Sequence, residues 1–368
     1  MFGKKRYYLD WAASYGNPSS PHTEGRAAKR VLDDARTAIA RELQMKSDDI
    51  IFTSGATEAN NMVISGITAK HAMDTGVSPH VLYLPSAHAS TVKTIQGLAA
   101  WGIASDPLPI KNGEVDIEAM KKLVKPETIL VSMDFVCSET GTVWNTREVK
   151  HALPGHVYLH VDASQAPLAE IVERSRLGAD IIVLDGAKVG DTRGAGVLAT
   201  PRTTAMTPLM YGGGQERGMR PGTENVAAIT AFARDLVKAR ENREAFTKRS
   251  RSMREDFIAR VASISNLFVN QGQNGVPHIL NISLTGRDTD YLAALLDEAG
   301  FAVSTKSACE SDSDTGSRAV LALTGNIARA ASTLRISWGP TTPSAALPAL
   351  AKALTRAVAF LDANTLAS

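Results

Sequence analysis

A buried strand followed at once by a lysine and a glycine-rich loop constrains the fold of this chain most. Residues 181–184 read IIVL, a continuous apolar run that is typical of a strand buried on both faces of a sheet. Lys188 follows, then three glycines, and then a second short strand over residues 197–199. Burial disfavours a charged ammonium, and an uncharged amine is a nucleophile. The stretch therefore predicts either a nucleophilic lysine at a strand end or a loop lysine whose amine reaches solvent.

Strand and helix signals alternate along most of the chain, which predicts an α/β fold with a mostly parallel sheet. Predicted strands cover residues 6–10, 49–52, 81–84, 129–136, 157–161, 181–184, 197–199, 281–284, 301–305 and 334–338. Predicted helices cover residues 23–43, 58–72, 227–236, 241–261, 290–299 and 344–361, with Thr23 as a possible cap. A chain of 368 residues is too long for one small hydrophobic core. We therefore expect a large domain over residues 15–250 and a smaller α/β domain from residues 1–14 and 251–368.

Composition narrows the classes of function. A formal net charge of +2 with interspersed signs gives no reason to expect nucleic-acid or membrane binding. No apolar run approaches the length of a membrane span or of a signal peptide. Cys137 and Cys309, the two cysteines, are far apart and form no zinc or disulfide pattern. We therefore expect a cytoplasmic protein with no metal site.

Several side chains that could bind a ligand or take part in a reaction follow the ends of predicted strands, where open α/β sheets bind their ligands. They are Thr57, His88, Ser138, Asp162, Gln165 and Lys188. Residues 55–57, Gly-Ala-Thr, lead from a strand into a helix N-terminus and predict an anion cup, although a capped helix start without a ligand fits equally well. A lysine, a carboxylate and an anion cup at one sheet edge are what pyridoxal phosphate requires.

Seven stretches together resemble the cysteine desulfurases, which are fold-type I pyridoxal-phosphate enzymes of the class V aminotransferase group. The stretches are LDWAAS, NPSSPH, FTSGATEANN, HVDASQA, GGGQERGMRPGTEN, STKSACES and LRISWGPTT. The resemblance, which runs over residues 8–342, implies a homodimer that converts L-cysteine to L-alanine. It also implies that the sulfur leaves through a persulfide to an acceptor protein of iron–sulfur cluster assembly or tRNA thiolation.

The resemblance implies a role for individual residues by motif match. Lys188 resembles the lysine that links to the cofactor and takes the substrate proton. Cys309 resembles the cysteine that accepts the sulfur. Implied cofactor contacts are Ala56, Thr57, His88 (which also belongs to the catalytic set), Ser138, Asp162, Gln165, Asp185 and, from the neighbouring subunit, Thr223. Implied substrate contacts are Arg335 and Asn17. The small polar residues over 304–317 predict an exposed, mobile loop around Cys309, whereas Cys137 follows an apolar strand.

The sequence departs from the family pattern around the cofactor. Residues 185–188 read Asp-Gly-Ala-Lys where the family has Ser-x-His-Lys, and residues 137–139 read Cys-Ser-Glu where it has Asn-Asn-Glu. Residues 191–194 read Asp-Thr-Arg-Gly in place of Gly-Pro-Lys-Gly. These departures predict weak cofactor retention. Selenocysteine lyase and aminotransferase activity on the same fold stay open, as does a degenerate homologue that binds a sulfur-transfer partner without turnover.

Overall fold

The structure, a computed structural model, describes residues 5–305 and 316–365. Its α-helices are α1 (Thr23–Leu43), α2 (Ala56–Thr75), α3 (Ala89–Leu98), α4 (Ile117–Leu123), α5 (Thr146–Ala152), α6 (Arg174–Leu177), α7 (Val226–Val261), α8 (Thr289–Glu298), α9 (Arg318–Thr324), α10 (Ile327–Ala331) and α11 (Ala346–Thr365). Its strands are β1 (Ile50–Thr53), β2 (His80–Tyr83), β3 (Ala104–Pro107), β4 (Ile110–Lys111), β5 (Glu114–Val115), β6 (Thr128–Asp134), β7 (Tyr158–Asp162), β8 (Ile181–Asp185), β9 (Gly196–Ala199), β10 (Leu267–Val269), β11 (Ile279–Leu284) and β12 (Thr333–Ser337).

A seven-stranded sheet of order β1-β9-β8-β7-β6-β2-β3 forms the centre of the larger part of the chain. Strand β9 runs antiparallel to both of its neighbours, β1 and β8, and the other strands are parallel. The prediction of an α/β fold with a mostly parallel sheet is therefore confirmed. A second sheet, β10-β11-β12, is antiparallel, and β4 pairs with β5 in a short ribbon.

The strand over residues 181–185 is buried on both faces, as its continuous apolar run predicts. Ile182 and Leu184 belong to a hydrophobic cluster that includes α1 and the first half of α7. Ile181 and Val183 belong to a second cluster, on the opposite face, that includes α2 and α3. Helices on both faces leave the edge of the sheet as the place where polar side chains can gather.

A separate hydrophobic cluster packs around the antiparallel sheet. It draws on the second half of α7 through Phe246 and Phe257, on β11 and β12, and on α8 and α11. Helix α7 thus contributes Phe232 and Leu236 to one core and its later residues to another. The two cores support the predicted division near residue 250, which stays a prediction.

Several predicted elements differ from the structure. The two helices predicted over 227–236 and 241–261 form the single helix α7, because the intervening residues also favour helix. Residues 6–10 form no strand, and the Asp10 side chain accepts hydrogen bonds from Ser20 and His22. Residues 301–305 contribute one isolated bridge rather than a strand. His22, not Thr23, caps α1.

Among residues 5–305 and 316–365, no helix is both long enough and apolar enough to span a bilayer.

Candidate active site

The parallel strands bring the predicted site residues to one edge of the large sheet. Strands β1, β2, β6, β7 and β8 point the same way, so their carboxyl ends share that edge. The predicted residues on or just after these ends are Ala56, Thr57, His88, Ser138, Asp162, Gln165, Asp185 and Lys188. The topology therefore gathers residues that span more than 130 positions of sequence.

Asp162, the last residue of β7, is a buried carboxylate held by two uncharged donors. Its Oδ2 accepts a hydrogen bond of 2.8 Å from the Asn60 side chain, and its Oδ1 accepts one of 3.0 Å from the Ser164 backbone N–H. Asn60 is fully buried on α2. Sequence reasoning missed Asn60, although a polar residue on the apolar face of a helix was a visible signal.

His88 is linked to the same network. It caps the N-terminus of α3, where its Nδ1 accepts the backbone N–H of Ser90 at 3.2 Å and lies 2.8 Å from the Ser90 hydroxyl. That hydroxyl oxygen in turn accepts a hydrogen bond of 2.8 Å from Asn60. The network His88–Ser90–Asn60–Asp162 therefore fixes two predicted cofactor contacts relative to each other. We call the four residues that would surround a cofactor ring the ring site: His88, Asp162, Gln165 and Lys188.

Lys188 ends a short 3-10 turn, Gly186–Lys188, directly after β8. Its side chain is exposed, which agrees with the alternative of a loop lysine whose amine reaches solvent. The nucleophilic role of Lys188 stays a prediction. The turn is nevertheless held closely, because a Cβ added to Gly186 would lie 2.9 Å from the Ala195 carbonyl oxygen and 3.1 Å from the Phe232 ring. Nearby, the Thr192 hydroxyl donates to Asp235 on α7 at 3.1 Å. Packing against α7 therefore positions the backbone of Lys188.

Arg335 connects the second sheet to the site. It lies on β12, and its guanidinium donates a hydrogen bond of 3.3 Å to the backbone carbonyl of Ser138, just after β6. This geometry suits an arginine that receives a substrate carboxylate at the sheet edge. Asn17 is used locally, donating to the Ala13 carbonyl and accepting from the Ser19 N–H. A substrate role for Asn17 stays a prediction.

The anion cup (residues 55–57) begins helix α2. The backbone N–H of Ala56 donates to the Asp185 carboxylate at 3.0 Å, while Thr57 is exposed. A second contact ties the cup to the loop that carries the exposed Thr223, since Arg220 donates to Glu58 at 2.9 Å. The cup is therefore formed, but a side chain of this chain already uses one of its donors.

Cys309 and most of its predicted loop lie outside the described residues. The chain that follows is anchored at the site: Ser317 donates to the buried Glu139 at 2.6 Å. Arg318 donates to the carbonyl oxygens of Pro85 and Ala87, immediately before His88. Sequence reasoning missed these anchors, because nothing local to residues 317–318 shows which distant carbonyls they meet.

Burial shifts the protonation of three side chains near the sheet edge. It raises the pKa of Asp134, at the end of β6, well above its usual value, and the charge of Asp162 adds to this. Burial also raises the pKa of the Cys137 thiol to about 12. It lowers the pKa of His160, whose Nδ1 lies 2.8 Å from the Ser132 hydroxyl, to about 4. The described part of the site therefore combines one carboxylate fixed by neutral donors with an inert thiol.

The ring site fits a pyridoxal ring. Both donors to Asp162 are uncharged, so a protonated ring nitrogen is a suitable partner for its charge. Buried Asn60 Oδ1 and Ser164 Oγ beside it lack hydrogen-bond partners among the described residues. A buried oxygen without a partner needs an explanation, and a bound ligand or a water molecule would supply one. The anion cup fits less well, because Asp185 carries the same charge as the phosphate.

Comparison with known protein sequences identifies the family of this chain. Residues 4–350 match the family model described as aminotransferase class-V. A cysteine desulfurase IscS of Dictyoglomus turgidum is 32% identical over 358 residues, covering 91% of this chain and 90% of its own. A selenocysteine lyase of Bos taurus is 31% identical over 386 residues, covering 95% and 88%.

Comparison with solved structures identifies a related fold. A solved structure titled NifS-like protein superposes with a TM-score of 0.87 at 25% identity, covering 94% of this chain and 92% of that one. The resemblance stated from the sequence motifs is thus confirmed along almost the whole chain. The chain belongs to the class V aminotransferase family, whose members depend on pyridoxal phosphate.

Proposed function

We propose that this protein is a cysteine desulfurase, which converts L-cysteine to L-alanine and carries the sulfur as a persulfide on Cys309. One observation carries the proposal: a buried carboxylate, Asp162, is held by Asn60 at the end of a strand whose neighbour, β8, leads directly to Lys188. The family relatives named cysteine desulfurase support the same reaction.

The cofactor would be held by the ring site and by residues 55–57. When bound, pyridoxal phosphate supplies an electron sink that stabilises negative charge at the substrate Cα. Asp162 would keep the ring nitrogen protonated, and His88 would pack on the ring. The amine of Lys188 takes the Cα proton and later returns a proton to the product. Arg335 holds the substrate carboxylate through paired N–H donors.

Sulfur transfer is assigned to Cys309. Its thiolate attacks the substrate sulfur, a new S–S bond forms, and the bond between sulfur and Cβ breaks. The electron pair of the broken bond stays on the carbon fragment, which gains a proton and leaves as alanine. Cys137 is unsuited to this step, because burial raises its pKa to about 12.

We further propose a homodimer that hands sulfur to an acceptor protein of iron–sulfur cluster assembly or tRNA thiolation. Three aromatic side chains are largely exposed: Trp11 (72%), Tyr15 (65%) and Tyr211 (84%). Their exposure supports the proposal that a second copy of the chain packs against them. Thr223, exposed in one subunit, would meet the phosphate of the other. The cytoplasmic location stays a prediction.

The decisive experiment supplies purified protein with pyridoxal phosphate and L-cysteine, and quantifies alanine and, with a thiol reductant, sulfide. We expect equal amounts of both products, with Cys309→Ser releasing neither. A parallel assay with L-selenocysteine tests the selenocysteine lyase, which the bovine relative favours. Transfer of the amino group to a keto acid would indicate an aminotransferase. Cofactor binding without any product would indicate the degenerate homologue, which the departure at Asp185 favours.

A further inference from the structure

The Asp185 carboxylate occupies the donors of the anion cup. Its Oδ2 accepts the backbone N–H of Ala56 at 3.0 Å, and its Oδ1 accepts the backbone N–H of Ala187 at 2.9 Å. The first donor belongs to the opening turn of the 20-residue helix α2, and the second to the turn before Lys188. One carboxylate therefore caps two elements that meet at the site, although Asp185 and Ala56 are 129 positions apart.

The carboxylate fits closely against the cup. A Cβ added to Gly55 would lie 3.2 Å from Asp185 Oδ2, which is tighter than ordinary van der Waals contact. Gly196 pairs with both Thr53 and Asp185, and a Cβ there would come within 2.5 Å of the Gly55 Cα. Two glycines thus let the backbone of the cup approach the end of β8, so that a side chain as short as aspartate reaches the helix N-terminus.

A carboxylate and a phosphate group compete for the same features of a helix N-terminus, namely free N–H groups and the positive end of the dipole. Two like charges held at such short range also repel each other. A phosphate group can use the cup only if Asp185 turns away or both charges are tolerated side by side. In either case the phosphate gains less than it would from an open cup.

We propose that the anion cup is capped from within by Asp185, and that this residue determines how much the phosphate group contributes to cofactor binding. The proposal rests on the proposed function for the identity of the cofactor. The chain should therefore bind pyridoxal phosphate and pyridoxal, which lacks the phosphate, with similar affinity. Asp185 is a specificity-determining residue here, because it acts on the non-reacting end of the cofactor.

The experiment measures dissociation constants of pyridoxal phosphate and pyridoxal for the cofactor-free full chain, at matched ionic strength. Asp185→Ser restores the residue that the family has, and Asp185→Asn removes the charge while keeping the shape. Asp48→Ser, at an exposed position before the opposite end of β1, removes an equal charge away from the anion cup and serves as the control. The quantity compared is the dissociation constant of pyridoxal divided by that of pyridoxal phosphate.

We expect the ratio to rise at least about tenfold in Asp185→Ser, to rise less in Asp185→Asn, and to stay unchanged in Asp48→Ser. The cofactor-free Asp185→Ser protein should also unfold at a lower temperature than the wild type, because it loses the cap on two backbone donors. An unchanged ratio in both Asp185 variants overturns the proposal, as does a failure of every variant to bind either compound.

The failure of this proposal is distinguishable from that of the desulfurase assignment. Binding ratios do not depend on turnover, so a protein that binds both compounds but releases no alanine contradicts only the assigned reaction. A protein that releases alanine, and whose ratio is insensitive to position 185, contradicts only the internal cap.

Discussion

The ring site and the anion cup lie at the same edge of the large sheet, yet different kinds of contact fix them. Asp162 of the ring site is held by neutral donors, Asn60 and Ser164, which leave its charge available to a ligand. The cup is held by Asp185, whose charge opposes the ligand. Under the proposed function, the site would keep the groups that perform the chemistry and change one that retains the cofactor.

Because the proposed reaction would depend on the ring site, a change there should have the largest effect. We expect Lys188→Ala to lose the covalent cofactor link and all release of alanine, since the described lysines include no other directly after β8. Borohydride reduction followed by peptide mapping checks this. Lys29→Ala, on the exposed face of α1, is the control and should behave as the wild type. An adduct on another lysine in the wild type contradicts the assignment.

A second substitution tests sulfur transfer separately from the ring site and the anion cup. Cys309→Ser should keep the cofactor spectrum but lose sulfide release, because a hydroxyl group cannot accept sulfur. Cys137→Ala is the matched control: its thiol is buried with a pKa raised to about 12, so its loss should leave sulfide release intact. Sulfide release by Cys309→Ser at the wild-type rate contradicts the persulfide mechanism.

The support of the ring site by neutral donors gives a third prediction. Asn60→Ala should lower the rate of alanine release about tenfold, because Asp162 loses a hydrogen bond of 2.8 Å and the Ser90 contact is lost with it. Asn61→Ala, one position along α2, changes a side chain that contacts Thr57 and Thr94 instead, and is the control. Equal effects of both substitutions contradict a specific role for Asn60.

Local sequence signals predicted most strands of the large sheet and most of the long helices, but not the short helices or the contacts between elements. Helix α1 has the predicted bounds, and the apolar run over 181–184 is a doubly buried strand. Strand ends followed by polar residues placed Asp162, His88 and Lys188 at one edge, because parallel strands share that edge. Periodicity and turn chemistry are properties of neighbouring residues, so these features were accessible from sequence.

The contacts that decide the character of the site are long-range. The bond between Ala56 and Asp185 joins positions 129 apart, and the bond between Asn60 and Asp162 joins positions 102 apart. The departure at Asp185 was among those that predicted weak cofactor retention, but its role as the cap of α2 was not visible. The exposure of Lys188 was only one of two alternatives that the sequence left open, because a strand end does not determine what covers the next turn.

The smallest effect concerns a second carboxyl group beside the ring site. Asp134 pairs in register with Asp162, and burial together with that neighbouring charge raises its pKa well above the usual value. At a pH above the usual pKa of an aspartate, Asp134 releases its proton in the unfolded chain but retains it in the folded chain. The free energy of unfolding therefore falls as pH rises, by up to about 1.4 kcal/mol per pH unit until the folded pKa is reached.

Asp134→Asn removes this dependence, because an amide has a similar shape and no proton to release. We expect the variant to be more stable than the wild type at pH 7 by at least about 1 kcal/mol, and the difference to shrink as pH falls toward 4. Urea unfolding at several pH values measures it, with Asp48→Asn, whose side chain is 72% exposed, as the control. A variant less stable at pH 7, or a difference independent of pH, would mean that Asp134 is ionised in the folded protein. Asp162 of the ring site would then lie beside a second negative charge, and the contrast with the anion cup would lose its electrostatic basis.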